Sequence, residues 1–583
     1  MSLVLSAADW AVEHFGQVQL GDKRRAARAV AVAGAMAADP SGSIPRQNKQ
    51  WKQTKGAYRL FDAAQATFES MIDPHHQHTR RAAGECGVVL MIQDTTHLNY
   101  TSHPGCEGLG RFAAGSQRWE SGLGLLLHNV LAVEPLGDGQ GRVLGLAHNK
   151  RWARTKPAAD KRSTHKQRHE QGCESDRWVQ AVEAIGAPPP GGRYVHVGDR
   201  EADIFPLYQR CKSQAGVSFV VRVSQLKRAA VAGHPTHLAK VKADDRPTTT
   251  LGEVVRSMPA SGAKRVWVAP RGGRVGRWAK CQVSGGAVTI YSPWGRSRSG
   301  HPLCCFAVRV WEINAPAGVE PLEWLLLSDE PVNDLSDALR LCQWYALRWT
   351  IEQYHQCLKS GCKVESRQLE HVDRLGPLIG MLCVVAVRLL QLRNNTRRTP
   401  QAKAIEQVPP ELVTTLAKLL GLQAQTMTLR QFAHELAKRG GFVGRNSDGE
   451  PGWLSLWRGW HELELITLGT RLPTMNGDVG NDQHLTGARC AFVRGILSRT
   501  LATLGKRGKT IYFRPAVWAG CNRALIVVVD SGLPASHELQ NIQPCRSSQS
   551  VLPHVLGVAG VCDSVADSLV AGPVRVCAFA PVR

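Results

Sequence analysis

Three carboxylates stand where a metal-dependent reaction can be built. Asp94 closes the apolar run GVVLMIQ, and Asp199 closes YVHVG. Each is expected at the C-terminal end of a buried strand, the edge of an α/β sheet where sites form. Glu352 falls in a helical stretch. Carboxylates converging from distant positions make a hard-oxygen donor set for Mg²⁺ or Mn²⁺. Two such ions about 4 Å apart activate a water and stabilise a leaving 3′ oxygen. Phosphodiester chemistry needs such ions because its substrate is itself anionic.

The stretch around Glu352 adds phosphate-binding types. Tyr345, Arg348, Glu352 and Lys359 have offsets of 0, 3, 7 and 14. At about 100° per residue they fall near 0°, −60°, −20° and −40°, one face of a single helix. Glu352 then ligates metal while Arg348 and Lys359 hold phosphates and Tyr345 offers a ring and a hydroxyl. The competing reading is a solvated face, since Arg348 and Glu352 are an (i, i+4) ion pair.

The elements that must position these groups can be read coarsely. Segments at 87–96, 122–133 and 142–150 are spaced as a three-strand meander. A helix is expected around 174–185, a strand at 194–198, and a β-rich insertion over about 220–320 with a basic turn at 271–280. A strand at 323–332 precedes a long helix over about 337–360, and further helices run from about 373 to 470. The chain has 72 Lys and Arg against 48 Asp and Glu, a formal charge of +24 over 583 residues. That excess suits a partner made of phosphates. Basic residues crowd the N-terminal helical region: Lys23, Arg24, Arg25 and Arg28, then Lys52 and Arg59 beside Trp51 and Tyr58. Cations interleaved with aromatics suit phosphate contact plus stacking; the alternative is a solvated helix face.

Other signals carry less. The longest apolar run, 375–387, ends at Arg388 and is shorter than a spanning helix needs. The N-terminus has no basic region ahead of an apolar one, as a signal peptide would. Sixteen cysteines are scattered without a CxxC pair, which reads as reduced thiols. His75, His76 and His78 cluster, as do His165, His169 and Cys173, but neither group offers a full zinc ligand set. GCEGLG lacks the Lys-Ser/Thr of a phosphate-binding loop. Residues 471–583 keep no sustained period and are expected to be a poorly ordered extension; the alternative is a small appended domain, with IYFRPAVWAGCNRALIVVVD as two strands.

Tyr345-x2-Arg348-x3-Glu352-x6-Lys359 resembles the YREK signature of one family of bacterial insertion-sequence transposases, DDE enzymes related to the Tn-five transposase. IQDTT around Asp94 and GDREADI around Asp199 resemble the family's two aspartate segments. LGDKRRAAR, GAYRLF, PLEWLLLSDEPV, RWTIEQYHQCLKSG, VAVRLLQLR and GGFVGR are similar to other family segments, collinear to about residue 470. The resemblance implies an α/β fold: an RNase H-like mixed-sheet core over 76–372 carrying the β insertion. An N-terminal helical DNA-binding domain (1–75) and a helical region with the pairing surface (373–470) would flank it. It implies Asp94, Asp199 and Glu352 as the catalytic, metal-binding triad. Tyr345, Arg348 and Lys359 would hold phosphate beside a flipped base, with Trp324 stacking on that base and Trp349 nearby. Without the resemblance, Trp324 reads as a core aromatic. Arg222 is similar to a DNA-contacting arginine of the family. The implied partners are transposon-end inverted repeats and target DNA, bound by a homodimer assembled on DNA. The implied setting is the bacterial cytoplasm, at the nucleoid and away from membrane. The implied activity is cut-and-paste transposition through a DNA hairpin; a catalytically silent or domesticated end-binding protein is the alternative.

Overall fold

A computed structural model of the protein describes residues 6–112, 122–154, 174–235, 241–242, 246–268, 276–292, 299–445, 448–470, 511–518, 521–529 and 555–559. The chain divides into two units, Met1–Leu472 and Pro473–Arg583.

The first unit begins with five helices: α1 (Ala7–Phe15), α2 (Lys23–Ala38), α3 (Ile44–Asn48), α4 (Trp51–Phe61) and α5 (Phe68–Gly84). Their starts follow from local chemistry. The Ser6 and Asp22 side chains accept the backbone N–H groups of Asp9 and Arg24, and Thr67 forms a reciprocal capping box with Ser70. Their apolar faces, including Trp10, Phe15, Val32, Met36, Phe61 and Phe68, join the main core. The lysines and arginines are left on the outside.

Strands then dominate. β1 (Val88–Asn99), β2 (Gly110–Phe112), β3 (Gly122–Pro135) and β4 (Gly141–Trp152) are followed by helix α6 (Asp176–Ile185) and β5 (Arg193–Gly198). Next come α7 (Phe205–Lys212), β6 (Val217–Arg222), β7 (Ala230–Ala232), β8 (Val241–Lys242), α8 (Leu251–Ser257), β9 (Gly262–Val268), β10 (Arg277–Ile290), β11 (Ser299–Gly300), β12 (Leu303–Glu312) and β13 (Glu323–Ser328). The main sheet has the order β2-β3-β1-β5-β6-β13-β12-β10-β7, with β4 beside β3 and β9 beside β10. β1, β5 and β6 are parallel, and the other pairings are antiparallel. β1, β3 and β4 form the expected meander. In the stretch of the expected β insertion, β10 and β12 continue the central sheet past β13. This is a mixed α/β architecture with flanking helices, compatible with an RNase H-like core.

α9 (Leu335–Ala346) and α10 (Trp349–Gln356) replace the single long helix expected, with a break at 347–348 and a π turn (Cys357–Gly361) after them. α11 (Val372–Arg398) follows, then α12 (Ala404–Gln407), α13 (Pro410–Leu420), α14 (Leu429–Arg439) and α15 (Trp453–Thr470). α11 is long and apolar enough to cross a membrane, unlike the shorter run read from sequence, yet 94% of its apolar window is buried inside the protein. Arg388 lies inside the helix and is buried, with its guanidinium 5.4 Å from the Trp10 ring centre. α14 and α15 meet backbone to backbone: a Cβ on Gly459 would lie 1.7 Å from the Leu436 carbonyl oxygen. The cysteines of the described residues are free, as expected of reduced thiols.

In the second unit, β14 (Ile511–Trp518), β15 (Cys521–Val529) and β16 (Val555–Ala559) form an antiparallel three-stranded sheet. The first two are the strands of the appended-domain alternative. The rest of the expected extension lies outside the described residues.

Histidine burial gives the fold a pH signature. Burial lowers His14, His196 and His355 to about 3 and His76 and His148 to about 4, and holds His75 and His128 well below the ordinary value. The unfolded chain, with histidines near 6.5, binds more protons than the folded one below that pH. These groups therefore contribute stability above about pH 6.5 that is lost on acidification toward 3–4. Unfolding at pH 5 is expected to take up several protons, and the denaturation midpoint to fall steeply from pH 6.5 to 4. A midpoint flat across that range in a pH-resolved melt would contradict this burial.

Candidate active site

β1 and β5 run parallel with Ile92 opposite Val197 as their last pair. Asp94 and Asp199 each lie two residues beyond that pair, so they stand level just past the end of the parallel β1–β5 ladder. Asp199 follows the last residue of β5, as expected. Asp94 does not end its strand. β1 continues to Asn99 because β3 pairs with it over Leu90–Asn99, which places Asp94 mid-strand opposite Asn129.

The two aspartates are held differently. Asp199 accepts the Glu201 N–H at 2.9 Å and caps the 3-10 turn Arg200–Ala202. Asp94 is 19% exposed and accepts its neighbour Thr95 N–H at 2.8 Å. Burial pushes its carboxyl up to about 7, and the charges of Asp199 and Glu352 add to the rise; the Thr95 N–H and Arg348 oppose it. Glu352 sits in the first turn of α10 and receives Arg348 at 2.5 Å. The three acids thus share one electrostatic environment, and the (i, i+4) pair read as the alternative is also formed.

These residues fit a divalent cation by donor chemistry. All three donors are carboxylates, and the repulsion that raises Asp94 is what a dication relieves. Their oxygens do not all approach within 4.8 Å of one another. Among the described residues, only Glu13, His14 and His78 do so as a group of three.

The Glu13 group is opposed by its hydrogen bonds. The Leu146 N–H donates to His75 Nε2 at 3.0 Å, so neutral His75 carries its proton on Nδ1. That proton faces His14 Nδ1 at 3.2 Å, occupying its lone pair and leaving the His14 proton on Nε2. Neither His14 nitrogen is then free for a metal without breaking the chain. The His75 cluster is structural in this arrangement; His165, His169 and Cys173 lie outside the described residues.

The predicted face of the active-site helix is assembled only in part. The Trp324 and Tyr345 rings meet edge to face at 6.0 Å, and the Arg348 guanidinium lies 5.9 Å from the Tyr345 ring centre. Trp324 is half-buried on β13. Lys359 lies in the π turn and pairs with Glu365 at 3.4 Å. Trp349 is 58% exposed. Arg222 ends β6 and donates to the Glu323 carbonyl at 3.3 Å. Of the basic turn at 271–280, residues 271–275 lie outside the described ones, and Arg277 is paired with Glu312.

In the N-terminal helices, Lys23, Arg24 and Arg28 are exposed on α2, and Lys52 and Arg59 on α4. Lys52 and Arg59 are seven residues apart and share a face with exposed Lys55. Arg25 has a different role: it donates to the Leu20 carbonyl and to Gln65, stitching the helices together.

Sequence reasoning missed several groups around the aspartates. Arg177 donates to Thr95 Oγ1 at 2.8 Å and to Glu201 at 2.7 Å, tying the two aspartate segments together. Asp203 is fully buried against Arg228. His355 Nδ1 lies 3.8 Å from Asp94 Oδ2. Only His355 had a signal in the sequence: it is three residues after Glu352, hence on the same helical face.

Residues 7–66 match the family model of a transposase DNA-binding domain. The match covers the helices that carry the exposed lysines and arginines. It supports a transposase role, with DNA as the partner.

Proposed function

We propose that the chain is a metal-dependent DDE-type DNA transposase that moves an insertion sequence by cut and paste. The observation that carries this reading is the level placement of Asp94 and Asp199 where the parallel β1–β5 ladder ends, with the Glu352 charge felt at Asp94, in a chain whose N-terminal segment matches a transposase DNA-binding domain. Asp94, Asp199 and Glu352 would hold Mg²⁺ or Mn²⁺, two ions by the phosphodiester chemistry proposed. Ions bound there supply water activation and stabilisation of the leaving 3′ oxygen.

The chain's own groups do the positioning. The helices of 7–66 grip the inverted repeat by its phosphates. Arg348 holds Glu352 and, with Lys359, flanks the phosphate beside the break. Trp324 and Tyr345 offer a ring surface for an extruded base, which needs one to replace its lost stacking. Arg222 contacts the same DNA. In the sequence proposed, water nicks the transposon end and the freed 3′-OH attacks the opposite strand, closing a hairpin. Water then opens the hairpin, and the same 3′-OH attacks target DNA. Each step exchanges one phosphodiester oxygen for another and needs no covalent protein intermediate. A homodimer assembled on two ends, through the helices of 373–470, completes the assembly. The Arg348–Glu352 ion pair favours one other reading, a catalytically silent end-binding protein whose third acid is permanently neutralised.

DNA binding and catalysis separate in the assay. Lys52→Ala and Arg59→Ala are each expected to weaken binding of end-sequence duplex and to lower the slope of log K against log salt by about 0.9 per lost phosphate contact. The per-complex cleavage rate should be unchanged. Salt-titrated fluorescence anisotropy checks this; wild-type slopes in both variants would remove α4 from the interface.

A further inference from the structure

Asp94, Asn129 and Asn149 form one row across β1, β3 and β4, each paired directly with the next. Directly paired residues of antiparallel strands share a face. Onto that row α5 brings His76 and α10 brings His355. All four partners of Asp94 in this row and above it are buried, Asn129 completely. The contacts form one chain: His76 Nε2 to Asn149 Oδ1 at 2.8 Å, Asn149 Nδ2 to Asn129 Oδ1 at 2.5 Å, and Asn129 Nδ2 to His355 Nε2 at 2.9 Å.

The direction of the chain is set by a backbone carbonyl. Asn129 Nδ2 also donates to the Leu127 oxygen at 3.2 Å, and a carbonyl oxygen only accepts. That fixes the Asn129 amide, so its Oδ1 must accept from Asn149 and its Nδ2 must donate to His355 Nε2. Asn149 Oδ1 then requires a proton on His76 Nε2. An Nε2 that accepts carries no proton, so the His355 imidazole is neutral. With Nε2 accepting, its single proton is on Nδ1, the atom 3.8 Å from Asp94 Oδ2. A closure of less than about 1 Å brings that pair to hydrogen-bond length. Apo sites commonly tighten in this way when loaded.

We infer that His355 is a positioning residue for Asp94: a buried amide chain from His76 through Asn149 and Asn129 locks it as the tautomer that offers Nδ1–H to that carboxylate. The inference rests on the reading of Asp94 as a metal ligand. One Asp94 oxygen would be oriented by His355 and the Thr95 N–H would hold the other, leaving outward lone pairs for a cation. Partners behind ligands of this kind change metal affinity by about 10–100-fold. The chain also ties α5 to the catalytic edge, so the helical layer and the carboxylate are set by one continuous set of hydrogen bonds.

Mn²⁺ affinity of the full chain, by isothermal titration at pH 7.5, tests this alongside thermal melting and end-DNA anisotropy. The decisive pair is His355→Gln against His355→Met: similar volumes, both neutral, but only Gln keeps an N–H for Asp94. The Met variant is expected to bind Mn²⁺ about 10–100-fold more weakly than wild type, and the Gln variant within about fivefold of it. DNA affinity should be unchanged in both. Equal Mn²⁺ affinities for folded Gln and Met variants overturn the inference. If either fails to fold, Asn129→Ala, which frees the tautomer without touching Asp94, is expected to weaken Mn²⁺ in the same direction, and wild-type affinity there overturns it. Asp94→Asn separates the two readings. Wild-type Mn²⁺ binding in that variant sinks the metal-ligand assignment itself, whereas a loss there with none in His355→Met sinks only the positioning role.

Discussion

Asp94→Asn is expected to lower Mg²⁺-dependent cleavage of end DNA by about three orders of magnitude or more, a barrier increase of ~4 kcal/mol. DNA affinity should stay within about twofold, because the exposed cations of α2 and α4 are untouched. The same substitution is expected to raise the melting temperature of the metal-free protein at pH 8. The sign follows from the carboxyl pKa of about 7, which burial and the charges of Asp199 and Glu352 hold above its unfolded value. From about pH 4 to 7 the folded state binds more protons than the unfolded one, so this group's contribution to stability falls as pH rises. Above pH 7 the wild-type protein carries the full cost of a buried, repelled charge, and Asn removes it. Loss of function with a gain in stability marks a strained functional group rather than a structural one. Parallel loss of cleavage and melting temperature would mark Asp94 as structural.

Arg228→Met carries the largest expected stability cost, about 3–5 kcal/mol, the usual result of stripping one partner from a buried ion pair. Asp203 is fully buried and Arg228 nearly so, with 2.6 Å between them. The Asp203 carboxylate also accepts the Tyr208 hydroxyl at 2.7 Å and the Ser224 and Gln225 N–H groups at 2.6 and 2.7 Å. Removing the arginine leaves that charge uncompensated. Asp203 is four residues from Asp199, and its contacts pin the turn that carries Asp199 to the segment after β6. The variant is therefore expected to melt several degrees lower and to lose cleavage through displacement of Asp199. The double variant Arg228→Met/Asp203→Asn should melt above the single one, since no unpaired charge remains. Thermal melts of the three proteins decide the matter; a single variant as stable as wild type would mean that water reaches the pair.

What was legible in the sequence, and what was not, divides along physical lines. Asp199 was legible because an apolar strand with a polar exit is a local pattern. Asp94 was legible as a residue but not as a position: an antiparallel partner prolongs β1, and a partner 35 residues away (129 − 94) leaves no local mark. The shared face of Tyr345, Arg348 and Glu352 was legible from helical periodicity. The break at 347–348 and the π turn were not, because both depend on how α9, α10 and α11 pack. Lys359 lies in that π turn and pairs with Glu365. The helix expected over about 373–395 was legible and is α11, but the burial of Arg388 against Trp10 was not, since a charge at the end of an apolar run gives no local sign of it. The buried asparagine row was out of reach, since single polar residues inside apolar strands gain meaning only from cross-strand register. The basic helices of 7–66 were legible from charge and aromatics, and the family match falls on the same residues.

The most direct test of metal-dependent strand chemistry at the Asp94–Asp199 edge is a denaturing gel. A linear duplex carrying the element's inverted-repeat end and flanking DNA is incubated with the full chain, with and without Mg²⁺. The expected result is a nicked strand followed by a hairpin product, formed with Mg²⁺, absent with chelator, and absent for Asp94→Asn. A duplex bound at nanomolar protein yet intact with Mg²⁺ and with Mn²⁺ would contradict the account and leave an end-binding protein in its place.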